Sequence, residues 1–340
     1  MNIDTEQAQV AEPQGSLADA INNLDDLTSA LLGMDQAHTN VFADYYQPRK
    51  PGAPTPKYEP MKRSALSSFL DEAFVDFIGM DSVKEELFQQ ASFLEVQKLR
   101  AAQGFKSPGG MSRHLIFTGA PGTGKTTVAR VVAQLYKQLG ILPTDKVIEA
   151  DRSSFIAGFT GQTALKTQAL INSAIGGVLF IDEAYTLCRT GDAYDTFGAE
   201  AIGTLLKMME DHRHELVVII AGYKKEIDQF LLSNPGLTSR FNKSVDFPNY
   251  SAMDLLSIFE NMVIAHSYVC KDWYPFQEDL LAYFEITLET QKETFSNGRF
   301  IRNLFERATE RHAKRIMLQS DQSVKALQTL LPIDIRGGIF

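Results

Sequence analysis

The chain has 340 residues, of which 44% are hydrophobic and 22% are charged, a composition typical of a globular protein rather than a disordered or collagen-like chain. Its formal net charge of -9 disfavours broad attraction to nucleic acid or anionic lipid, and its 2 cysteines, which lack metal-ligand spacing, argue against a disulfide framework or a structural zinc site. No basic start followed by an apolar run and no stretch of about 18 apolar residues occurs, so we expect a cytoplasmic protein without a secretory signal or membrane span.

The first segment, residues 1–60, is predicted to lie outside the compact body. Between Ser16 and Gly33 a helix is predicted, because apolar residues recur there at three- and four-residue steps. The residues of this stripe are Leu17, Ile21, Leu24, Leu27 and Leu31. Such a stripe needs a partner surface, either on the chain's own body or on a neighbouring subunit or client. Five prolines then predict an extended linker, so the body begins near Met61.

Short apolar, β-branched runs then alternate with helical stretches, which is the pattern of a parallel sheet covered on both faces. The predicted strands are residues 114–118, 146–150, 178–181, 216–221 and 244–247. The predicted helices between them are residues 125–139, 163–174, 200–210 and 225–232. Helical periodicity dominates afterwards, in residues 251–267, 276–292 and 299–319. We therefore expect an α/β domain over residues 61–248, a small helical lid domain over 249–320 and a tail over 321–340.

A glycine-rich loop with the pattern GxxxxGK[ST] follows the first predicted strand and precedes a helix. Its backbone N–H groups and the positive end of the helix can surround phosphate oxygens. Lys125 is predicted to contact the β and γ phosphates of a nucleoside triphosphate, and Thr126 to hold Mg²⁺. A chance glycine turn is a poor explanation, because both the spacing and the strand-loop-helix setting would be accidental. The expected nucleotide contacts here are Gly119, Pro121, Gly122, Thr123, Gly124, Lys125, Thr126 and Thr127.

The apolar strand at residues 178–181 ends in two carboxylates, Asp182 and Glu183. Asp182 is predicted to hold Mg²⁺, and Glu183 to orient or deprotonate the water that attacks the γ phosphate. Adjacent acids at a strand end are often only solvated turn residues, but the glycine-rich phosphate-binding loop at residues 119–126, here called the P-loop, favours the catalytic interpretation. The pair predicts hydrolysis rather than passive binding.

Two later arginines can balance the negative charge of a phosphoryl-transfer transition state. Arg240 lies just before the fifth predicted strand, at a domain edge, and is predicted to reach a neighbouring subunit's nucleotide. Arg299 opens a helix of the lid and is predicted to act on the nucleotide of its own subunit. Either arginine alone is more typical of a surface ion pair, but their order and spacing relative to the P-loop favour catalytic roles.

Together these motifs resemble the AAA+ ATPases, and within them the CbbX/CfxQ type, which includes red-type rubisco activases, stage V sporulation protein K and the ATPase domain of EccA proteins. The resemblance covers about residues 77–314 and rests, besides the P-loop, on residues 78–80, 158–163, 176–185, 217–223 and 234–241. It implies a five-stranded parallel P-loop sheet with a helical lid, and it places Ile78 and Gly79 on the adenine side. It also implies a homo-oligomeric ring, usually a hexamer, that hydrolyses ATP between subunits.

Phe159 matches the position of the pore aromatic in this family, and the resemblance assigns the pore loop to Phe159, Thr160 and Gly161. An aromatic on a glycine-flanked loop offers a large apolar contact on a mobile support. The usual pattern has an apolar residue where Thr160 stands. The alternative is that Phe159 packs on the sheet edge. A second loop, residues 189–197, is a further candidate for the pore.

Two functions are therefore open. In the first, ATP hydrolysis drives the Phe159 loops of a ring to remodel a protein client. In the second, ATP controls the assembly of a scaffold that recruits partners through the N-terminal helix. A motor directed at nucleic acid fits the acidic charge balance poorly.

Overall fold

The computed structural model describes residues 65–75, 77–105, 112–159, 161–188, 195–271, 273–292, 295–319 and 322–337. The predicted N-terminal helix and linker lie outside the described residues, as do Thr160 and most of the second candidate pore loop. All described residues fall in one compact unit, Arg63–Phe340.

The elements up to residue 247 alternate between helix and strand. Two helices come first, α1 (Ala65–Ala73) and α2 (Asp81–Ala102). The strands are β1 (Leu115–Gly119), β2 (Val147–Ala150), β3 (Val178–Ile181), β4 (Val217–Gly222) and β5 (Ser244–Phe247). The helices around them are α3 (Lys125–Gln138), α4 (Arg152–Phe155), α5 (Gln162–Ala174), α6 (Thr196–Asp211), α7 (Lys224–Leu232) and α8 (Pro235–Arg240). A 3₁₀ turn (Ala184–Cys188) follows β3.

The five strands form one parallel sheet in the order β2-β3-β4-β1-β5. In its centre, Phe117 of β1 lies opposite Ala221 of β4 and Val245 of β5. The predicted α/β fold is confirmed. β1 begins one residue later than predicted, where the His114 ring, rather than a backbone carbonyl, accepts the Val218 amide hydrogen at 2.9 Å.

Alternate residues of the central strands enter two different hydrophobic layers, because successive side chains of a strand point to opposite faces of the sheet. In β1, Leu115 and Phe117 join one core cluster, and Ile116 joins the other. Strands buried on both faces read as continuous apolar runs, which is why they were readily found in the sequence.

The lid begins after β5. Its elements are α9 (Ala252–Ala265), β6 (Val269–Cys270), α10 (Trp273–Gln291), α11 (Gly298–Gln319), α12 (Val324–Gln328), β7 (Thr329–Leu330) and α13 (Pro332–Arg336). Ser251 caps α9 reciprocally with Asp254: the Ser251 hydroxyl accepts from the Asp254 amide at 3.1 Å, and the Asp254 carboxylate accepts from the Ser251 amide at 2.9 Å. Among the described residues, no helix combines the length and the apolar character that crossing a membrane requires.

The C-terminal segment differs from the expectation of a separate tail over residues 321–340. β7 pairs in parallel with β6, and Asp334, only 2% exposed, accepts hydrogen bonds from Arg315 of α11 at 3.0 and 2.8 Å. A buried carboxylate paired in this two-pronged way is anchored in the fold. The lid therefore extends to Arg336. Two-residue strands leave no detectable periodicity, so the sequence pattern did not reveal them.

Candidate functional site

A cavity of about 1770 Å³ opens at the carboxyl edge of the sheet, between the P-loop and the lid helices α9 and α11. Ligands of open parallel sheets bind at this edge, beyond the carboxyl ends of the strands. Most of the predicted site residues meet there. Those that line the cavity are Ile78, Gly119, Pro121, Gly122, Gly124, Lys125, Thr126, Thr127, Asp182, Glu183 and Arg299.

The P-loop requires glycine at its junction with α3. Gly124 has a φ of 89°, and a Cβ added there would lie 2.4 Å from Cε of Met80. Position 124 therefore requires glycine for two reasons: its backbone is left-handed, and Met80 leaves no room for a side chain. Thr123, predicted as a nucleotide contact, is buried instead and donates its hydroxyl hydrogen to Ala120 O at 2.9 Å, which stabilises the loop.

Lys125 begins α3 and is the cation of the P-loop. Its Nζ donates to Gly119 O at 2.8 Å and to Ala120 O at 2.7 Å. Burial lowers the pKa of Lys125 to about 8, against the opposing effect of Asp182, while the positive Arg299 lowers it further. The lysine is therefore charged at neutral pH but close to losing its proton.

The two carboxylates occupy the predicted place at the end of β3. The Asp182 amide continues the sheet by donating to Ala150 O at 2.9 Å, and the next residue, Glu183, has a φ of 47°. A left-handed backbone at a residue other than glycine is uncommon and is found disproportionately at functional sites. This turn places both carboxylates on the cavity.

Two tyrosines near Glu183 were not among the predicted site residues. Tyr223, which directly follows β4, lines the cavity. Tyr185 packs against Gly222, where an added Cβ would lie 2.8 Å from its ring. Burial, and then the negative charge of Glu183, raise the pKa of both hydroxyls, that of Tyr185 to about 12. The position of Tyr223 after a central strand is the signal that could have identified it.

Another part of the cavity lining is apolar. Phe77, Ile78 and Met80 contribute to it from the segment before α2, and Met262 contributes from α9. Gly79, predicted on the adenine side, is not a lining residue. Its φ is 64°, and an added Cβ would lie 2.5 Å from the carboxyl carbon of Asp254, so Gly79 brings this segment against the lid.

The two arginines lie in different places. Arg299 is in the first turn of α11 and lines the cavity. Arg240 ends α8 and is not a lining residue; its guanidinium donates to Gly236 O at 3.3 Å and lies 3.4 Å from Glu210. The Ser112 hydroxyl binds Arg240 O before β1 begins, whereas the P-loop follows β1. Five strand residues, at about 3.3 Å each, therefore separate Arg240 from the P-loop of its own chain.

Phe159 projects from the loop between α4 and α5 and is 71% exposed, which is inconsistent with packing on the sheet edge. The base of this loop is held in place: Lys166 of α5 donates to Ser153 O at 2.7 Å and to Ile156 O at 2.9 Å. Gly161, with a φ of 82°, directly precedes α5 as its N-cap. The loop thus exposes the apolar Phe159 ring, while the hydrogen bonds from Lys166 hold the base of the loop against α5.

Comparisons with known proteins agree with this architecture. Residues 115–249 match the family model described as "ATPase family associated with various cellular activities (AAA)", and residues 251–338 match the AAA lid domain. The crystal structure of the FIGL-1 AAA domain in complex with ADP has the same fold, with a TM-score of 0.54 at 17% identity, covering 83% of this chain and 91% of that chain.

Curated relatives are more similar in sequence. Stage V sporulation protein K of Bacillus subtilis is 41% identical over 76% of this chain and 79% of its own. The plasmid protein CbxX of Cupriavidus necator is 41% identical over 76% of this chain and 80% of its own. The chloroplastic ribulose bisphosphate carboxylase/oxygenase activase of Cyanidioschyzon merolae is 40% identical over 75% and 85%. With a P-loop, a strand-end acid pair and a lid arginine around one cavity, the chain belongs to the AAA ATPases of the CbbX/CfxQ type and is an ATP-hydrolysing enzyme.

Proposed function

We propose that this ATPase assembles into a ring and uses the energy of ATP hydrolysis to remodel a protein client through Phe159. The observation that carries the proposal is that the residues predicted to hydrolyse ATP within one subunit share one cavity, whereas Arg240 and Phe159 lie outside its lining. The P-loop, the acid pair and Arg299 share this cavity, whereas Arg240 lies beyond the other end of β1. Phe159 is exposed and does not line the cavity, although residues 156–158, which precede it, do.

The lining of the cavity favours one orientation of bound ATP, because its apolar residues and its phosphate-binding residues are different groups. The apolar part formed by Ile78, Met80 and Met262 would receive the base, and the P-loop with Lys125 would receive the phosphates. The positive end of α3 also points at the phosphates. This orientation brings the γ phosphate toward Asp182 and Glu183.

The donor set at the phosphate end suits Mg²⁺. Asp182 and Thr126 supply a carboxylate and a hydroxyl oxygen to the same cavity, and no group of three or more potential metal ligands occurs within the described part of the chain. Mg²⁺ is usually held by one or two carboxylates together with substrate phosphates and water, so these two residues would suffice. When bound, it would neutralise developing charge on the phosphate oxygens.

Hydrolysis then follows from the charges around the γ phosphate. Glu183 aligns a water molecule and accepts its proton while the water oxygen bonds to phosphorus and the bond to the β-phosphate oxygen breaks, which leaves ADP and phosphate. Lys125 and Arg299 stabilise the negative charge of the transition state. Tyr185 and Tyr223 lie close enough to Glu183 for its charge to raise the pKa of both hydroxyls.

Arg240 completes this site only across a subunit boundary. Its own P-loop is at the opposite edge of the sheet, so the nucleotide it serves must belong to a neighbour. A contact between one edge of a subunit and the opposite edge of the next is head-to-tail, and its repetition closes a ring when the rotation per subunit permits. We propose a hexamer, as is usual in the family.

The proposed client contact can be separated from the scaffold alternative by trapping. In Glu183→Gln protein with ATP, a client held by the Phe159 loops should co-purify. Adding Phe159→Ala should remove it while assembly persists, because Phe159 is 71% exposed and little packing is lost with its side chain. Recovered proteins are compared by quantitative mass spectrometry.

Phe105→Ala in the same background is the matched control, since Phe105 is also exposed but lies at the end of the segment that follows α2. Undiminished capture by the Phe159→Ala form would favour a scaffold that recruits partners elsewhere on the chain.

The pKa of Lys125 predicts how ATP affinity depends on pH. The lysine is charged below its pKa of about 8 and neutral above it, and phosphate prefers the charged form. Affinity should therefore be nearly full near pH 7 and about tenfold weaker at about pH 9, one unit above that pKa. Isothermal titration calorimetry measures the change. Lys125→Arg, whose charge persists over this range, should show a flat profile if it binds ATP; a flat profile for the unsubstituted protein would contradict the prediction.

A further inference from the structure

Asn297 is a fully buried polar residue in the loop that leads into α11, two residues before Arg299. Its φ is 48°, a left-handed conformation that asparagine tolerates better than most residues. Buried polar side chains are destabilising unless their hydrogen-bonding groups are satisfied. The partners of Asn297 therefore indicate what it does.

The side-chain amide of Asn297 joins three segments of the chain. Its Oδ1 accepts from the Tyr250 amide at 3.0 Å, in the connection between β5 and the lid. Its Nδ2 lies within donating distance of the side-chain oxygen of Asn249 at 2.9 Å, of Phe295 O at 3.0 Å and of the P-loop carbonyl of Pro121 at 3.3 Å. One amide thus touches the interdomain connection, the lid loop and the P-loop.

A second backbone contact lies beside it. The Gly298 amide donates to Gly122 O at 3.0 Å, and a Cβ added at Gly122 would lie 2.2 Å from Ser296 O. The start of α11 therefore packs directly against the P-loop, with no side chain between the two backbones. Arg299, which follows Gly298 in the first turn of this helix, lines the cavity.

We propose that Asn297 is a positioning residue for ATP turnover: its amide fixes the start of α11 on the P-loop and so places the Arg299 guanidinium over the phosphates. The residue does not reach the cavity itself and acts through Arg299. A movement of the lid relative to the sheet must bend the Asn249–Tyr250 connection that the same amide holds, so Asn297 also couples lid position to the P-loop. This inference rests on the proposed role of Arg299 in the nucleotide site.

Two substitutions test the proposal. Asn297→Asp keeps the acceptor for the Tyr250 amide and tolerates the left-handed backbone, but it loses the donor to Pro121 O. Asn297→Gly keeps the backbone conformation and loses every side-chain contact. Both should lower kcat about tenfold or more, with a smaller change in KM, because a displaced charge chiefly affects the transition state. Asn172→Asp, on the exposed side of α5 and outside the nucleotide cavity, is the matched control and should behave like the unsubstituted protein.

A double-mutant cycle with Arg299→Ala separates positioning from a merely structural role. If Asn297 acts through Arg299, adding Asn297→Asp to Arg299→Ala should change kcat little, whereas independent roles would multiply. Circular dichroism and thermal unfolding establish that each variant is folded.

A folded Asn297 variant with unchanged kcat would overturn the proposal, as would multiplicative losses in the cycle. Failure of both variants to fold would show a structural role instead and would also overturn it. If Arg299→Ala alone leaves kcat unchanged, the role assigned to Arg299 in the proposed function fails, a result separate from any effect of Asn297.

Discussion

Glu183→Gln protein should bind ATP with nearly unchanged affinity but hydrolyse it at least about 100-fold more slowly, because general-base catalysis contributes a factor of this order or more. The amide has the size and shape of the carboxylate but cannot take a proton from water. Glu183 lines the cavity, so the loss is local. Phosphate release under saturating ATP and magnesium, with calorimetric ATP binding, measures both quantities.

The trapped ATP should also strengthen the oligomer, since the nucleotide is proposed to bridge two subunits. Light scattering with ATP should show an assembly that persists at dilutions where the unsubstituted protein dissociates. Glu306→Gln, the same change on an exposed position of α11, is the control and should have neither effect. Undiminished turnover in the Glu183→Gln form would remove this glutamate from the mechanism.

Arg240→Ala should reduce turnover by roughly 1000-fold, the size of effect that a phosphate-contacting arginine has in related phosphoryl transfers. Lys125→Ala should be inactive for a different reason, because it loses the P-loop cation. Mixing the two inactive proteins should restore part of the activity. In a mixed oligomer, some subunit interfaces combine Arg240 from a Lys125→Ala subunit with the intact P-loop of an Arg240→Ala subunit. The nucleotide site at such an interface contains every required group.

Arg213→Ala is a matched control for Arg240. Arg213 also pairs with Glu210, at 3.0 Å, and it is exposed, so its loss should leave turnover and the mixing result unchanged. Recovery is measured as phosphate release against the ratio of the two proteins, and subunit exchange is verified by fluorescence transfer between labelled chains. Mixed oligomers without recovered activity would contradict a role for Arg240 across the interface.

The proposed role of Arg240 across a subunit interface depends on where Arg240 and Arg299 lie relative to the ends of the strands, not on their distance along the chain. Arg240 and Arg299 are both near glycine- or loop-rich segments in the sequence, and both were predicted to balance phosphate charge. Only the parallel register of β1 and β5 places one before the strands begin and the other beside the loop after they end. The direction of the strands agrees with the roles predicted from the sequence, in which Arg240 reaches a neighbouring subunit's nucleotide and Arg299 acts on its own.

The amino-acid sequence by itself determined the five strands, the P-loop and the acid pair after β3, because each depends on residues that are contiguous in the chain and on a local periodicity or turn. Tertiary structure alone decided the rest. Tyr223 meets Glu183 because neighbouring strands end at the same edge, and Asn297 meets Pro121 from far along the chain. The C-terminal segment joined the lid through a buried ion pair. Such contacts depend on the packing of distant segments, for which a single sequence carries no periodic signal.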